Sequence, residues 1–239
     1  CACEGCIPGL ANLSSAQEIL DTVYTTETTE NPSALRPAWE FEVPEGTLFL
    51  PAFRPFVQTL DQVVDVDYAI PGCPPESGQI WAVLETVIAA LEGKGPLPPK
   101  GSILGAGTSS VCDECSRKRD VKRIDHFQRI TDQLEFDPEI CLLEQGLPCN
   151  GPATRSGCGA LCPAVSSPCI GCYGPAEGVV DYGSRLMSAY ASAVNASKPE
   201  EIDAALEAIV DPVGQFYRFS LANSLLHSGR AAWKNGGEK

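Results

Sequence analysis

Cys141-Leu-Leu-Glu-Gln-Gly-Leu-Pro-Cys149-Asn-Gly-Pro-Ala-Thr-Arg155 is followed at once by Ser-Gly-Cys158-Gly-Ala-Leu-Cys162, and then by Pro168-Cys169-Ile-Gly-Cys172-Tyr-Gly-Pro175. Upstream stands Cys112-Asp-Glu-Cys115. Together these segments hold two sets of four cysteines. The first is Cys112, Cys115, Cys141 and Cys149, and the second is Cys158, Cys162, Cys169 and Cys172. Four thiolates are what a cubane of four irons and four sulfides requires, one per iron, and soft thiolate also suits zinc. Spacing alone therefore leaves both metals open. The stretch is rich in Gly and Pro and poor in β-forming runs, the composition of a segment that folds around its metals rather than into a regular sheet.

The rest of the composition narrows the classes. The chain has 239 residues, long enough for a real core, and its 12 cysteines are too many for ordinary packing. Disulfides suit small secreted domains, whereas these cysteines are bunched at metal-ligand spacings. No basic segment followed by an apolar run and cleavage site is seen, nor a twin-arginine leader, so a cytoplasmic location is expected. Seventeen Lys and Arg against 31 Asp and Glu give a net charge of -14, which argues against a nucleic-acid partner. No run of eighteen or more uncharged apolar residues is available to span a bilayer.

A Pro/Gly-rich stretch from Gly93 to Gly107 divides the chain into residues 1–95 and 96–239. In the first part Val64, Val66, Tyr68 and Ile70 alternate with Asp65, Asp67 and Ala69, the period of a strand. It runs into Pro71-Gly72-Cys73-Pro74-Pro75, after which Ile80, Leu84, Val87, Ile88 and Leu91 recur at helical spacing with Gly93 as a stop. Strand, loop and helix make an α/β unit. A helix is expected over Ala16 to Tyr24 and a short strand over Thr47 to Leu50. In the second part, helices over Val179 to Val194, Pro199 to Val210 and Val213 to Leu226 are expected to pack as a cover.

The Gly-Pro-x-Thr element between cluster cysteines and the Pro-Cys-x-Gly-Cys close resemble the C-terminal cluster domain of nickel-iron hydrogenase small subunits. The nearest likeness is to cytoplasmic group 3 enzymes of the methyl-viologen-reducing and F420 types. Cys73 in its proline-flanked loop resembles the last ligand of that family's proximal cluster, and Cys1 before Ile7-Pro8-Gly9-Leu10-Ala11-Asn12 resembles the third. The resemblance implies an α/β fold with a flavodoxin-like N-terminal layer, followed by an irregular, helix-capped iron-sulfur domain. The family's opening strand and Cys-x-x-Cys loop have no counterpart before Cys1, so the layer is expected to lack its first elements in this sequence. Cys112, Cys115, Cys141 and Cys149 would hold the distal cluster, and Cys158, Cys162, Cys169 and Cys172 the medial one.

Exported relatives often carry His at the position of Cys112, and several have Pro and a three-iron cluster at that of Cys162. The resemblance then implies a four-iron medial cluster from Cys162 and the cytoplasmic branch from Cys112, and twelve cysteines are enough for three [4Fe-4S] clusters. Cys3 and Cys6 read either as proximal ligands of a rebuilt site, as extra thiols that modify the proximal cluster, or as inert buried cysteines. The implied partners are a large subunit carrying the NiFe centre and an electron acceptor of ferredoxin, flavin or heterodisulfide-reductase type. This chain itself would carry no catalytic residue. The alternatives are an iron-sulfur subunit of a non-hydrogenase redox complex, such as a complex I-like assembly, and a zinc-stapled interaction protein.

Other features read blandly. His126 and His227 are expected at the surface or in packing, Glu76 as a helix N-terminal acid, and Arg117, Lys118, Arg119, Lys122 and Arg123 as a solvated helix face rather than a docking patch. Gly105-Ala-Gly107 lacks the third glycine of a dinucleotide fingerprint.

Overall fold

The computed structural model describes residues 9–51, 54–121, 123–132 and 135–227. The first part opens with a 3-10 turn, Leu10–Leu13, and helix α1, Ala16–Tyr24. Ser15 caps α1 through a capping box with Glu18, whose carboxylate is held below its usual pKa range by the Ser15 amide and hydroxyl. Strands β1 (Glu40–Val43) and β2 (Gly46–Phe49) form an antiparallel hairpin. Only β2 is foreshadowed by the sequence. The turn needs Gly46, whose φ of 135° is open to glycine and little else.

Strand β3 is Tyr68–Ala69, helix α2 is Ser77–Leu91 and strand β4 is Ser102–Ile103. β3 and β4 pair in parallel, so the three form a β-α-β crossover. The unit runs across position 95/96, where the sequence places its division. It is reinforced by Gly101 N–H to the Asp67 carbonyl at 2.7 Å and by the Tyr68 hydroxyl to the Pro98 carbonyl at 2.8 Å. The strand expected over Val64 to Ile70 shrinks to two residues. A 3-10 turn at Leu60–Gln62 draws in the amides of Val63 and Val64, both bonded to the Leu60 carbonyl, and both side chains stay about half exposed.

Helix α2 begins and ends as its sequence requires. The Glu76 carboxylate accepts the amides of Gly78 and Gln79 at 2.8 and 3.2 Å, so Glu76 is a helix cap. At the other end Lys94 N–H reaches the Ala89 carbonyl and Gly93 N–H that of Ala90, a Schellman closure with Gly93 at φ 72°.

The second part is built from loops and short helices: α3 (Val111–Glu114), α4 (Leu161–Ala164), α5 (Tyr182–Ala193), α6 (Pro199–Leu206) and α7 (Pro212–Tyr217). The helix expected to run to Leu226 stops at Tyr217, and two 3-10 turns, Leu221–Asn223 and Leu225–His227, follow it. The core lies here. Leu186, Tyr190, Phe216 and Tyr217 of α5 and α7 pack with Val111, Ile124 and Phe127 and with the cysteine-bearing loops at Cys149 and Cys169. The cover of helices expected from the sequence is present.

Asp181 fixes that cover. Its buried carboxylate caps α5 through Ser184 N–H and also accepts from the Tyr217 and Ser224 hydroxyls and Leu225 N–H, at 2.8 to 3.1 Å. Burial by itself raises the pKa, but these bonds outweigh it and hold the group below the ordinary carboxylate range. Its contribution is therefore present above the ordinary value of 3.8 and is lost as pH falls through the depressed one. Asp181→Ala should cost about 1–3 kcal/mol at neutral pH, since it removes a cap and orphans buried donors. Chemical denaturation of the variant beside the parent protein checks this.

Candidate iron-sulfur centres

The eight cysteines from Cys112 to Cys172 are all free thiols. Cys112 and Cys115 lie on and just after α3, which Ser110 and Asp113 cap reciprocally. Past this helix the chain runs extended beside residues 139–141, with Lys118 N–H on the Glu139 carbonyl and Cys141 N–H on that of Lys118 at 2.8 Å. This pairing brings Cys141 to Cys115. Cys149 arrives on the next loop, and Cys112, Cys115, Cys141 and Cys149 all line one cavity. Val111, Leu142, Pro163, Gly151, Arg117 and Arg119 complete its wall. The first sequence-derived set is thus assembled by the fold.

The fit to a cluster is visible at Gly151. A Cβ built there would stand 3.2 Å from the Cys112 sulfur and 3.7 Å from that of Cys149, so the missing side chain leaves room where the thiols converge. Among the described residues no three His, Cys, Asp or Glu side chains form a chelate for a single ion. Burial pushes the Cys112 thiol up to about 12, with Cys149, Cys141 and Cys115 adding to the rise and Arg119 opposing it. Burial likewise raises Cys149 to about 11, against hydrogen bonds from the Gly151 and Cys169 amides.

The second set is also gathered. Burial raises Cys172, with Cys162 and Cys158 near it, and raises Cys169 to about 12, with Cys149 and Cys172 beside it. The Glu114 carboxylate accepts from the Gly157 and Gly159 amides at 2.8 and 3.1 Å, tying the Cys158 turn to the end of α3. Cys162 lies on α4. The two sets touch through the Cys169 amide, which donates to the Cys149 sulfur at 3.3 Å.

The first part reaches this region at one loop. The backbone amide of Cys73 hydrogen-bonds to the Cys172 sulfur. The Tyr173 hydroxyl accepts from Glu76 N–H at 3.4 Å and donates to the Gln79 side chain at 2.7 Å. Cys1, Cys3 and Cys6 lie outside the described residues.

Residues between the cysteines prove as important as the cysteines themselves. Asn150 is 2 % exposed. Its side chain donates to the Ile170 and Gln215 carbonyls and accepts from the Tyr190 hydroxyl and Gln215 amide, joining the Cys149 and Cys169 loops to α5 and α7. Thr154 shares its hydroxyl with the Asn150 carbonyl at 2.6 Å and the Tyr182 hydroxyl at 2.7 Å, beside the Cys169 sulfur at 3.7 Å. Gly171 has φ 95°, and a Cβ there would sit 2.1 Å from the Tyr182 hydroxyl, so both backbone and space demand glycine. The Asn-Gly-Pro-x-Thr spacing signalled these positions, while their partners come from helices far along the chain.

Among the described residues of the basic run, Arg117, Lys118, Arg119 and Arg123, none lies in a helix, and Lys122 lies outside the described residues. Arg117 is buried and Lys118 pairs with Glu139, whereas Arg119 lies at the cavity beside Cys112. His126 is exposed, as the sequence indicates.

Two outcomes follow from this geometry. Gly151→Ala should lower bound iron by about four per chain, while Gly95→Ala, at a site with open space, should leave it unchanged; iron and acid-labile sulfide analysis reads both. Because burial raises the thiols from 9.0 to about 11 and 12, metal-free protein should be most stable below the ordinary thiol value and lose stability as pH rises towards the raised ones. Denaturant midpoints at about pH 8 and about pH 10 test the sign.

Residues 1–87 match the family model described as NADH ubiquinone oxidoreductase, 20 Kd subunit. Across almost the whole chain the similarity is to the G subunit of the F420-non-reducing vhu hydrogenase of Methanococcus voltae, 42 % identical over 226 residues, which cover 95 % of this chain and 68 % of that protein. The corresponding vhu protein of Methanocaldococcus jannaschii is 38 % identical over 227 residues, with the same coverage of each chain. The iron-sulfur G subunit of an F420-non-reducing hydrogenase from Archaeoglobus profundus is 39 % identical over 198 residues, 80 % of this chain and 60 % of that one. With this extent of identity, the chain belongs to the family of F420-non-reducing hydrogenase G subunits, the iron-sulfur subunits of an oxidoreductase.

Proposed function

We propose that this chain is the electron relay of a nickel-iron hydrogenase, carrying electrons between a NiFe centre on the large subunit and an external acceptor. The observation that carries the reading is the placing of eight cysteines in two adjoining groups of four, linked by the Cys169 N–H to Cys149 Sγ hydrogen bond. Cys112, Cys115, Cys141 and Cys149 would hold the distal cluster, and Cys158, Cys162, Cys169 and Cys172 the medial one. Cys73, whose amide already touches Cys172, would serve the proximal cluster with Cys1, and Cys3 and Cys6 would lie near it. A [4Fe-4S] cluster, when bound, supplies a one-electron site whose potential responds to hydrogen bonds, charge and solvent exposure.

The chain's own residues set those conditions. Buried Val111, Leu142 and Tyr182 exclude water, the Gly151, Cys169 and Gly171 amides aim at sulfur, and the Thr154 hydroxyl stands beside Cys169. The parallel β3-α2-β4 unit with Cys73 in the loop after β3 supports a flavodoxin-like layer, since ligands in α/β sheets sit at the carboxyl ends of strands. Among the described residues no helix is long and apolar enough to cross a membrane. Eight free thiols among the described residues favour a reducing, cytoplasmic setting. The acceptor would be of ferredoxin, flavin or heterodisulfide-reductase type.

The family model over residues 1–87 favours a second reading, an electron-transfer subunit of a complex I-like assembly. Metal content of the complex purified through this chain separates the two. The hydrogenase reading expects about eight to twelve irons with matching sulfide, nickel on the partner, and bleaching of the visible absorption under hydrogen. Iron without nickel or hydrogen response selects the second reading, and zinc without sulfide removes both.

A further inference from the structure

Arg117 lies two residues after Cys115, is 7 % exposed, and has all three guanidinium nitrogens hydrogen-bonded. Its Nε donates to the Pro163 carbonyl at 2.9 Å, one Nη to the Asp137 and Ile140 carbonyls at 2.8 and 3.0 Å, and the other Nη to the Ser166 hydroxyl at 2.8 Å. Ile140 precedes Cys141 of the first cysteine set, and Pro163 follows Cys162 of the second. One side chain therefore braces a ligand loop of each.

All of these partners are neutral. The five ion pairs among the described residues are exposed, and none includes Arg117. A guanidinium this buried without a counter-charge is costly, because carbonyl dipoles replace only part of the lost hydration. The cavity it lines is walled by Cys112, Cys115, Cys141 and Cys149. Four thiolates around a four-iron cluster carry net negative charge, and reduction adds one more.

We propose that Arg117 is the built-in counter-ion of the distal cluster: its fixed positive charge favours the reduced state, and its hydrogen bonds fix the Cys141 and Cys162 loops relative to each other. It is a positioning and potential-setting residue, held in place before any electron arrives. Arginine suits the task because its planar fork can satisfy three carbonyls and a hydroxyl at once while the charge remains fixed, which an ammonium cannot reproduce. The inference rests on the assignment of the first cysteine set to a cluster.

The test is a redox titration of the hydrogenase complex, followed by electron paramagnetic resonance, on parent protein, R117Q and R117K, with iron and sulfide measured on each. R117Q, with the cluster retained, should show a reduced-to-oxidised ratio of the distal cluster about tenfold lower at the parent midpoint, equivalent to a fall of about 59 mV for a one-electron couple. R117K, which keeps the charge, should stay close to the parent. An unchanged midpoint in R117Q with full iron content overturns the proposal, as does an equal fall in both variants. Loss of the cluster from both leaves Arg117 a structural brace only and overturns its electrostatic role. Parent protein without iron and sulfide sinks the cluster assignment itself, an outcome distinct from all of these.

Discussion

Asn150 is the residue on which the arrangement of the second part depends. Its backbone N–H donates to the Cys169 carbonyl, its side chain closes four further hydrogen bonds, and its own carbonyl accepts from Thr154. An irregular segment buried against helices has no sheet ladder or long helix to absorb its polar groups, so side chains must do it. Asn, with both donors and acceptors on a short stem, can satisfy carbonyls and a hydroxyl at one point. Around it, Tyr190 stacks on Phe127 and meets Phe216 edge-on, so polar satisfaction and apolar burial coincide.

The consequence for function is rigidity without regular structure. The two cysteine groups are joined by an amide-to-sulfur hydrogen bond, by the Glu114 bonds to the Cys158 turn, and by the Arg117 brace between the Cys141 and Cys162 loops. Fixed dipoles and charges near a redox centre need not reorganise when an electron arrives, which keeps the exchange fast and the potential defined. The same burial raises several thiols well above their ordinary range. Metal binding must then displace protons, so loading and folding of this part are coupled.

The first part presents a different surface. Trp39, Phe41, Leu48 and Phe49 on the hairpin, and Trp81, Leu84, Ile88 and Leu91 on α2, are exposed. Apolar area on this scale belongs to chains that work in assemblies. Other side chains of this part turn inward: Asn12 is buried and exchanges two bonds with Val57, Gln62 reaches the Ala222 carbonyl in the turns after α7, and Gln79 accepts from Tyr173 in the cysteine loops.

The sequence alone was enough to divide eight cysteines into two groups by spacing, a local property, and a Gly or Pro beside a cysteine records a loop. It was enough for α1, for α2 with its stop at Gly93, and for the helical cover, since caps and helical periodicity are written within a few residues of where they act. It could not place β1, hold the strand before Cys73 to its two paired residues, or show that the charge on Arg117 turns inward. Those outcomes depend on partners far along the chain: β4 within the Pro/Gly-rich stretch for the strand, and the carbonyls of Asp137, Ile140 and Pro163 for the arginine. A charged side chain spells solvent until a fold supplies its hydrogen bonds, and only the tertiary structure supplied them.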